Sequence, residues 1–378
     1  MVNVPFLANS EPAAVRRPAF AIAHSSGAAS GGTGSLGGLA AAAGNLLGQG
    51  GDDFWLSHTL EIAVQTGPLP FVNSACITFA AADAPDIALQ DAVTISLGYA
   101  DAAPEAVFTG SVTRQVRTLA GLTHLYASDG GGRLARQRLN QSYAAQNAGD
   151  IVRDLASQAG VETDVIESGL SLPFYALAST TPLQAQIAAL ARRSGYWAYF
   201  TPAGKLTFAP VSEGETVQTF TYGTDVLKLE ITEAAPALDG VQVSGEGAAG
   251  SQGQDAWNWL VADATGVQAQ AGSGEAQRWA SDGALRSQDA ARTAATARAS
   301  AAASVQLTGE LWVPGAPQVA VGRQIAIAAA PENFLNGNYQ VERVCHRLSK
   351  SRGFVTRLSL LKTASVPLGA LAALGGLL

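Results

Sequence analysis

Charge is scarce in this sequence. Lysine, arginine, aspartate and glutamate make up 14% of its 378 residues, whereas about 25% is usual for globular domains. The formal net charge is −7, which argues against an outer surface that collects phosphate backbones, because such a surface needs clustered basic residues. Sparse charge fits a subunit whose surface is buried in an assembly, although a coding bias toward alanine and glycine would have the same effect.

Cysteine and histidine are also rare. The two cysteines, Cys76 and Cys345, lie in strand-like segments far apart in the sequence, and two are too few for a disulfide framework. We expect both to be free, buried thiols. The four histidines show no spacing typical of zinc ligands, so the sequence predicts no metal site; they are His24, His58, His124 and His346.

No stretch of the sequence is long and apolar enough to span a membrane. The apolar residues 366–378 are far fewer than the about 20 that a spanning helix requires. The first 17 residues place their arginines after the apolar residues rather than before them, so a secretory signal is not predicted. We expect the protein to stay in the cytoplasm until it is assembled or released.

Alternating apolar and polar residues predict a first all-β domain over residues 18–132, after an N-terminal arm over residues 1–17. The chain is long enough for about two to three domains. A first strand precedes a glycine- and alanine-rich insertion at 25–51, and strands resume at Phe54. Gly67–Pro68 and Pro104 mark turns, so the domain is expected to hold about five to seven strands.

A second all-β domain is predicted over residues 213–362. Its clearest part is residues 307–361, where four period-two runs separated by turn residues predict one antiparallel meander. The polar segment 245–284 is predicted to be a variable loop, and the alanine-rich segment 288–304 a helix. An apolar tail follows at residues 363–378.

Between the two β domains, residues 133–212 predict an α/β insert. The apolar stripe of residues 148–160 is typical of an amphipathic helix, and a second helix begins after Pro182 and ends at Gly195. We expect the apolar positions of these helices to be buried, in particular Leu155, Ile187 and Leu190.

Two glycine motifs fit GxGxxG without the rest of a dinucleotide site. Residues 32–37 match, with Asp52 and Asp53 about 20 residues further on, but more glycines interrupt the helix that should follow. Residues 245–250 also match and are followed by polar residues rather than by a helix. No cofactor is predicted.

Candidate catalytic residues do not form a constellation. Asp150 and Asp154 share one face of a predicted helix beside Arg153, which is typical of a solvated helix surface. Cys345 and His346 are neighbours on a strand and so point to opposite faces. The sequence therefore predicts no catalytic residues and no enzyme.

Several segments together carry a resemblance to a known family. They are, in chain order, FTGSV, NAGDIVRDLASQAGV, LQAQIAALARRSGYWAYF, GKLTF, GELWVPGAPQVAVGRQIAI and NGNYQVERVCHRLSKSRGFVTRLSL. Their order and spacing resemble phage late control D proteins, the baseplate hub proteins of contractile tails and related injection systems. These hubs are also similar to the N-terminal part of VgrG spike proteins. The resemblance runs from about Phe54 to Leu361, with residues 245–284 unmatched.

The resemblance implies two tube-type antiparallel β-barrels that flank the α/β insert and assemble as a homotrimer. Six barrels would then form a pseudo-six-fold ring. The implied partners are the tail tube ring, a separate spike protein, other baseplate or wedge proteins, and a tape-measure protein or DNA in the lumen. The implied location is a virion tail baseplate or an extracellular injection particle. The insertion at 25–51 and the early end of the chain depart from the family pattern.

Two other functions stay open at this point. A baseplate-associated cell-wall hydrolase would need a pair of carboxylates in a cleft. A carbohydrate- or receptor-binding β module would use exposed aromatic residues, for which Trp257 and Trp259 are the candidates.

The apolar tail is the predicted binding segment for the spike or a neighbouring hub subunit. In water it would expose an apolar patch of a kind that soluble proteins rarely tolerate. We therefore expect deletion of residues 366–378 to leave the trimer intact and to weaken spike attachment, measured as a binding affinity. Unchanged affinity of the deletion variant would contradict this assignment. The predicted contact residues are Val366, Leu368, Leu371, Leu374, Leu377 and Leu378.

Overall fold

Within the residues that the computed structural model describes, the chain is mainly β. Those residues are 16–25, 51–80, 87–211, 216–248 and 260–362. Several predicted features lie outside them, so the structure does not test these features. They are most of the N-terminal arm and of the 25–51 insertion, the motif at 32–37, Trp257, Trp259 and the whole predicted binding segment 366–378.

The first six strands form one half of a large sheet. In chain order the elements are β1 (Pro18–Ser25), α1 (Gly51–His58), β2 (Thr59–Thr66), β3 (Ser74–Ala80), β4 (Ala92–Tyr99), β5 (Glu105–Arg117) and β6 (Leu122–Ser128). The strands lie in the order β1-β4-β5-β6-β3-β2, and each neighbouring pair is antiparallel. Alternate positions of these strands point into one core, which includes Ile62, Val64, Ile77, Phe79, Ile95, Leu97 and Leu125.

A short helix replaces the start of one predicted strand. We expected a strand from Phe54, but α1 continues to His58 and β2 begins at Thr59. The ring centroids of Phe54 and Trp55 lie 5.8 and 5.3 Å from that of Phe79, edge to face. Packing of these two rings on the core therefore outweighs their β propensity.

The second half of the sheet contains β12 (Thr216–Thr221), β13 (Lys228–Glu233), β17 (Leu307–Pro314), β18 (Gln324–Ala328), β19 (Gly337–Ser349) and β20 (Gly353–Lys362), with a 3₁₀ turn at Asn333–Leu335. The predicted meander is wrong in its order, because β17 pairs with β20 and β13 and not with β18. β18 instead pairs with β19 and, in parallel, with β12. The buried positions fit either order, since period-two alternation specifies the face of a strand but not its neighbour.

β19 joins the two halves into one 12-stranded sheet. Its first part pairs with β18, and its last part, from Val344 to Ser349, pairs with β2. β20 follows β19 along nearly its whole length. Along the described residues the sheet stays open, with β1 and β13 at the ends of its main path.

The α/β insert packs its helices as the sequence predicts. Its elements are α2 (Gly130–Arg136), β7 (Gln141–Asn147), α3 (Ala148–Gln158), β8 (Thr163–Ile166), β9 (Ser171–Leu177), α4 (Leu183–Ser194), β10 (Tyr196–Phe200) and β11 (Leu206–Pro210). Leu155, Ile187 and Leu190 are fully buried, which confirms the predicted apolar faces. Gly195 ends α4 in the left-handed conformation, with φ 71°, and its N–H donates to the carbonyl of Ala191.

A separate three-stranded sheet, which we call the small sheet, lies where a variable loop was predicted. The segment contains β14 (Gly240–Ala248), β15 (Leu260–Gly272) and β16 (Gln277–Ser281), followed by α5 (Gln288–Ser304) over the alanine-rich stretch. Its buried residues, such as Val243, Leu285 and Ala294, belong to the core of the α/β insert and not to that of the second β region. Glycine, glutamine and alanine have low β propensity, so the strands form through pairing and tertiary packing.

A buried ion-pair cluster connects this sheet to the insert. Asp282, just after β16, accepts hydrogen bonds from Nε and Nη2 of Arg193 on α4 at 2.9 and 3.0 Å, and from Nη2 of Arg298 on α5 at 2.7 Å. Its side chain is 8% exposed. Burial by itself would raise the pKa of Asp282, but the two guanidinium groups hold it below its usual value.

Replacing Asp282 by asparagine should destabilise the protein by about 3 kcal/mol, the lower end for buried pairs, because two partly buried guanidinium groups would lose their counter-charge. Asp289→Asn is the matched control, since Asp289 forms an exposed pair with Arg292 on α5 and its loss should cost less than about 1 kcal/mol. Urea unfolding measures both effects. Equal destabilisation by the two substitutions would show that the cluster does not join the insert to the small sheet.

Candidate functional site

The described residues hold no arrangement that resembles a reaction centre. No group of three or more histidine, cysteine, aspartate or glutamate residues within them could hold a metal ion. None of the helices in the described ranges is long and apolar enough to cross a membrane. The candidate functional surface is instead one face of the 12-stranded sheet, which is continuous across eight neighbouring strands.

The two carboxylates singled out on α3 have structural partners. Asp150 follows the helix N-cap Asn147 and forms an exposed ion pair with Arg153. Asp154 accepts hydrogen bonds from the hydroxyl of Tyr143 at 2.6 Å and from the amide of Gln158 at 2.7 Å. The expectation of a purely solvated face therefore holds for Asp150 but not for Asp154, which connects α3 to β7.

One side of eight neighbouring strands forms a continuous surface, which we call the polar face. It crosses β5, β6, β3, β2, β19, β20, β17 and β13, and its side chains point away from the two sheet cores. The register aligns them in rows across the strands. One row is Arg114, Tyr126, Cys76, Ala63, Arg347, Val355 and Pro314. A second row is Ser74, Gln65, Cys345, Arg357, Trp312 and Lys228.

The opposite side of the same strands explains why this face is polar. Period-two alternation sends Ile62, Val64 and Ile77 into the first core, and Leu311 and Leu358 into the second. The residues between them therefore point to the other face. Because β19 pairs with both β2 and β20, the polar face continues from one half of the sheet to the other without a break.

Most charges of the polar face are compensated within it. Nε of Arg347 lies 2.5 Å from Oε1 of Glu61, and Nζ of Lys228 lies 2.8 Å from Oε2 of Glu230. Arg114 is stacked over the ring of Tyr126, with its guanidinium carbon 4.0 Å from the centroid.

Arg357 is held from two sides. Its guanidinium pairs with Glu310 and lies 5.7 Å from the ring centroid of Trp312. The polar face is consequently rich in hydrogen-bonding groups. Three of its basic residues are paired with carboxylates, whereas Arg114 and Arg343 lie over aromatic rings.

Both cysteines belong to this face. Cys76 and Cys345 are free, as expected, but they are half-buried rather than buried. β2 lies between their two strands, which places the sulfur atoms too far apart for a disulfide bond. Burial raises the pKa of each thiol, so both are protonated at neutral pH.

His346, the neighbour of Cys345, points to the opposite side and is 3% exposed. Its Nδ1 lies 2.9 Å from Oγ1 of Thr356, which also accepts a hydrogen bond from the Ala316 N–H at 2.9 Å. The ring borders a small cavity with Phe200 of the insert. Burial lowers the pKa of His346 to about 4, so this ring is neutral where the second β region meets the insert.

Asp129 is a second buried titratable residue, at the junction between β6 and the insert. Its carboxylate caps α2 by accepting the Gly131 N–H at 2.9 Å. Burial raises its pKa to about 7, partly opposed by that hydrogen bond. The motif FTGSV packs at this junction, where a Cβ on Gly110 would lie 2.4 Å from the Ser128 carbonyl oxygen. The signal for this cap in the sequence is Asp129 directly before three glycines, and it was not used in the prediction.

The comparisons with known proteins identify a family and a fold. A sequence model of the family described as the Alg8 N-terminal domain matches residues 73–350. A comparison with curated proteins finds no match.

Among solved structures, the chain is similar to the 43 kDa tail protein of prophage MuSo2 from Shewanella oneidensis, with a TM-score of 0.63 and 13% identity over 80% of this chain and 94% of that chain. The tail protein from Neisseria meningitidis MC58 gives a TM-score of 0.62 and 13% identity over 81% of this chain and 92% of that chain.

An E. coli protein, c3393, gives a TM-score of 0.56 and 12% identity over 81% of this chain and 74% of that chain. It is described as a component of the type VI secretion system that is structurally similar to the T4 bacteriophage tail proteins gp27 and gp5. At these identities the likeness is one of fold.

His346 and Asp129, the two buried titratable groups, should make the free energy of unfolding depend on pH in opposite directions. His346, with a pKa of about 4 in the folded state against 6.5, destabilises the fold as the pH falls from 6.5 to 4, because the unfolded chain binds the proton first. Asp129, with a pKa of about 7 against 3.8, destabilises the fold as the pH rises from 4 to 7. Between pH 4.5 and 6.5 the two contributions, each about 2–3 kcal/mol, should nearly cancel.

Single substitutions separate the two contributions. Relative to the wild type, Asp129→Asn should lose stability as the pH falls from 6.5 to 4.5, and His346→Asn should gain it, in urea unfolding at each pH. All other titratable groups are the same in the wild type and the variants, so the difference between their profiles isolates the substituted residue. Profiles of both variants that run parallel to that of the wild type would contradict these two assignments.

Proposed function

We propose that this chain, which belongs to the family of the Alg8 N-terminal domain, is the central hub of a contractile tail or injection-system baseplate. Its fold is that of solved phage tail proteins, and the sequence segments that resemble late control D proteins extend over most of the chain. The proposed role is structural, and the chain carries out no reaction.

The continuity of the polar face across both halves of the sheet is the observation on which this proposal depends. A channel wall must present hydrogen-bonding groups to water while its other side packs against protein, and the polar face does both. Because three of its basic residues are paired with carboxylates, as Arg347 is with Glu61, a polyanion or an extended chain could move along it without being held tightly.

Three copies would give the ring that a hub requires. Each copy contributes two six-stranded sheet halves. A homotrimer would therefore offer six such units to a six-fold tail tube ring and three-fold symmetry to a separate spike protein. In this ring the halves form two tube-type β-barrels per chain, and a tape-measure protein or DNA passes through the lumen. We place the particle in the virion tail baseplate or in an extracellular injection system, with assembly in the host cytoplasm.

The α/β insert and the small sheet lie on the outside of the proposed ring. They share one core with each other, separate from both sheet cores, so they can meet other baseplate or wedge proteins without disturbing the wall. The exposed Trp279 on β16 is 67% accessible, and aromatic residues of this kind often contribute most of the energy of a protein interface. The segment 366–378 stays the predicted contact to the spike.

The mass and symmetry of the purified protein test this proposal. We expect light scattering to give three times the chain mass of 38.6 kDa, and electron microscopy to reveal a three-fold ring with an axial channel lined by the polar face. A monomer at all concentrations, a two-fold dimer, or a polar face buried between copies would contradict it. Turnover of a cell-wall polymer that is lost on changing one carboxylate would favour the hydrolase instead.

A further inference from the structure

The eight strands of the polar face alternate in direction from one end to the other. β5 and β13 are the end strands, and every neighbouring pair between them is antiparallel. With eight strands, β5 and β13 therefore run in opposite directions. A second copy beside the first could place its β5 antiparallel to β13 of its neighbour, which is the arrangement used throughout this face.

The β13 end of the polar face is open. On the side away from β17, no strand in the described ranges pairs with Lys228–Glu233. Glu230 and Glu233 make this edge acidic, although Lys228 compensates part of that charge. An unpaired strand edge of six residues readily accepts another strand unless the protein covers it.

The β5 end is open along the second part of that strand. β4 pairs with β5 only as far as Ser111, and two backbone hydrogen bonds with Val112 end the contact. Beyond Val112, the described strands give the β5 backbone a partner on one side only, namely β6. The Gln115 side chain donates a hydrogen bond to the Ile87 carbonyl of the segment before β4. Arg114 and Arg117 make this edge basic, which complements the acidic β13 edge.

Exposed apolar side chains are concentrated at the same two ends. Thirteen large apolar side chains are exposed among the described residues, and six of them lie here. Leu119, at the tip of the β5–β6 hairpin, is fully accessible, and Leu227, just before β13, is 59% accessible. The other four are Leu89 and Val116 near β5, and Tyr222 and Trp312 near β13. Single exposed apolar residues are ordinary, but two groups at the open ends of one surface indicate a protein contact.

We infer that β13 of one copy pairs, antiparallel, with residues 113–117 of β5 in a second copy of this chain. The inference depends on the proposed ring and assigns the strands that close it. The contact is head to tail, because each copy uses β13 toward one neighbour and β5 toward the other. Such contacts form a closed ring when the rotation from copy to copy brings the last copy beside the first. Three copies would then continue the polar face through 24 strands.

Charge and side-chain direction favour one register. Arg114 and Glu230 both belong to the polar face, and directly opposed residues of a strand pair share a face. Placing Arg114 opposite Glu230 also places Val116 opposite Lys228, and Arg117 opposite Leu227, so that the apolar ends of both edges coincide. In the isolated chain Arg114 is stacked on Tyr126, which holds its guanidinium on this face.

Disulfide cross-linking tests the strand pairing in the full chain with Cys76 and Cys345 replaced by serine. Val116→Cys with Lys228→Cys, and separately Arg114→Cys with Glu230→Cys, place cysteines directly opposite each other across the proposed contact, where Cβ atoms lie about 4.5–5.5 Å apart. Mild oxidation should convert the trimer into a covalent ring that runs at three times 38.6 kDa without reductant. Ala21→Cys with Lys228→Cys is the matched control, because Ala21 lies on β1, the other end strand of the sheet.

The outcomes separate this inference from the proposed function. Cross-linking of either β5–β13 pair, without cross-linking of the β1 control, supports the inference. A trimer in which neither β5–β13 pair cross-links, or in which the β1 control cross-links instead, overturns the strand assignment and leaves the hub proposal standing. A chain that stays monomeric overturns both.

Charge reversal gives a second measurement that does not depend on cysteine geometry. Glu230→Arg should weaken trimer formation about tenfold, because it would oppose Arg114 of the next copy. Combining it with Arg114→Glu should restore most of the affinity, since the pair is then exchanged rather than broken. If the double variant is as weak as the sum of the two single variants, Arg114 and Glu230 do not meet across the contact.

Discussion

The pairing of β19 with both β2 and β20 is the interaction on which the rest of the structure depends. It extends over Val344–Ser349 on one side and nearly all of β19 on the other. Without it the two β regions would be separate sheets, each with an additional open edge. With it, the two cores lie on one side of a single sheet, and the polar face runs from β5 to β13. The α/β insert contacts both halves, through Asp129 at one junction and the cavity beside His346 at the other.

The distribution of charge follows from the same constraint. The charged residues of the polar face and those around Asp282 differ in their surroundings. On the polar face they form compensated pairs in water, which contribute little to stability. Around Asp282, which is buried, the guanidinium groups are partly buried, and these ion pairs connect the end of β16 to α4 and α5. The first arrangement keeps the proposed channel wall hydrated and offsets three of its basic residues. The second fixes the small sheet to the insert, where alanine-rich packing by itself buries little apolar area per residue.

The proposed ring gives a reason for features that are costly in an isolated chain. An open acidic edge at β13, an open basic edge at β5 and exposed apolar residues at both ends would favour uncontrolled association. Pairing the two edges head to tail uses all of these surfaces at once and closes the assembly. The exposed Leu119 and Leu227 then belong to an interface. Low charge, which the sequence displays throughout, is consistent with a subunit whose ends are covered.

Local patterns in the sequence determined which segments form helices and strands and which of their faces are buried. The stripe that includes Leu155 and the stop at Gly195 predicted two helices, and period-two alternation predicted the buried side of β17 to β20, because both signals are carried by neighbours along the chain. Only the tertiary structure decided which strands pair, so β17 lies beside β20 and β13 rather than beside β18. It also decided that residues 240–248 and 260–304 pack on the insert, and that Arg114, Arg347 and Trp312 share one face. Strand order depends on pairing between segments distant in sequence, and one chain's alternation fits several partners equally well.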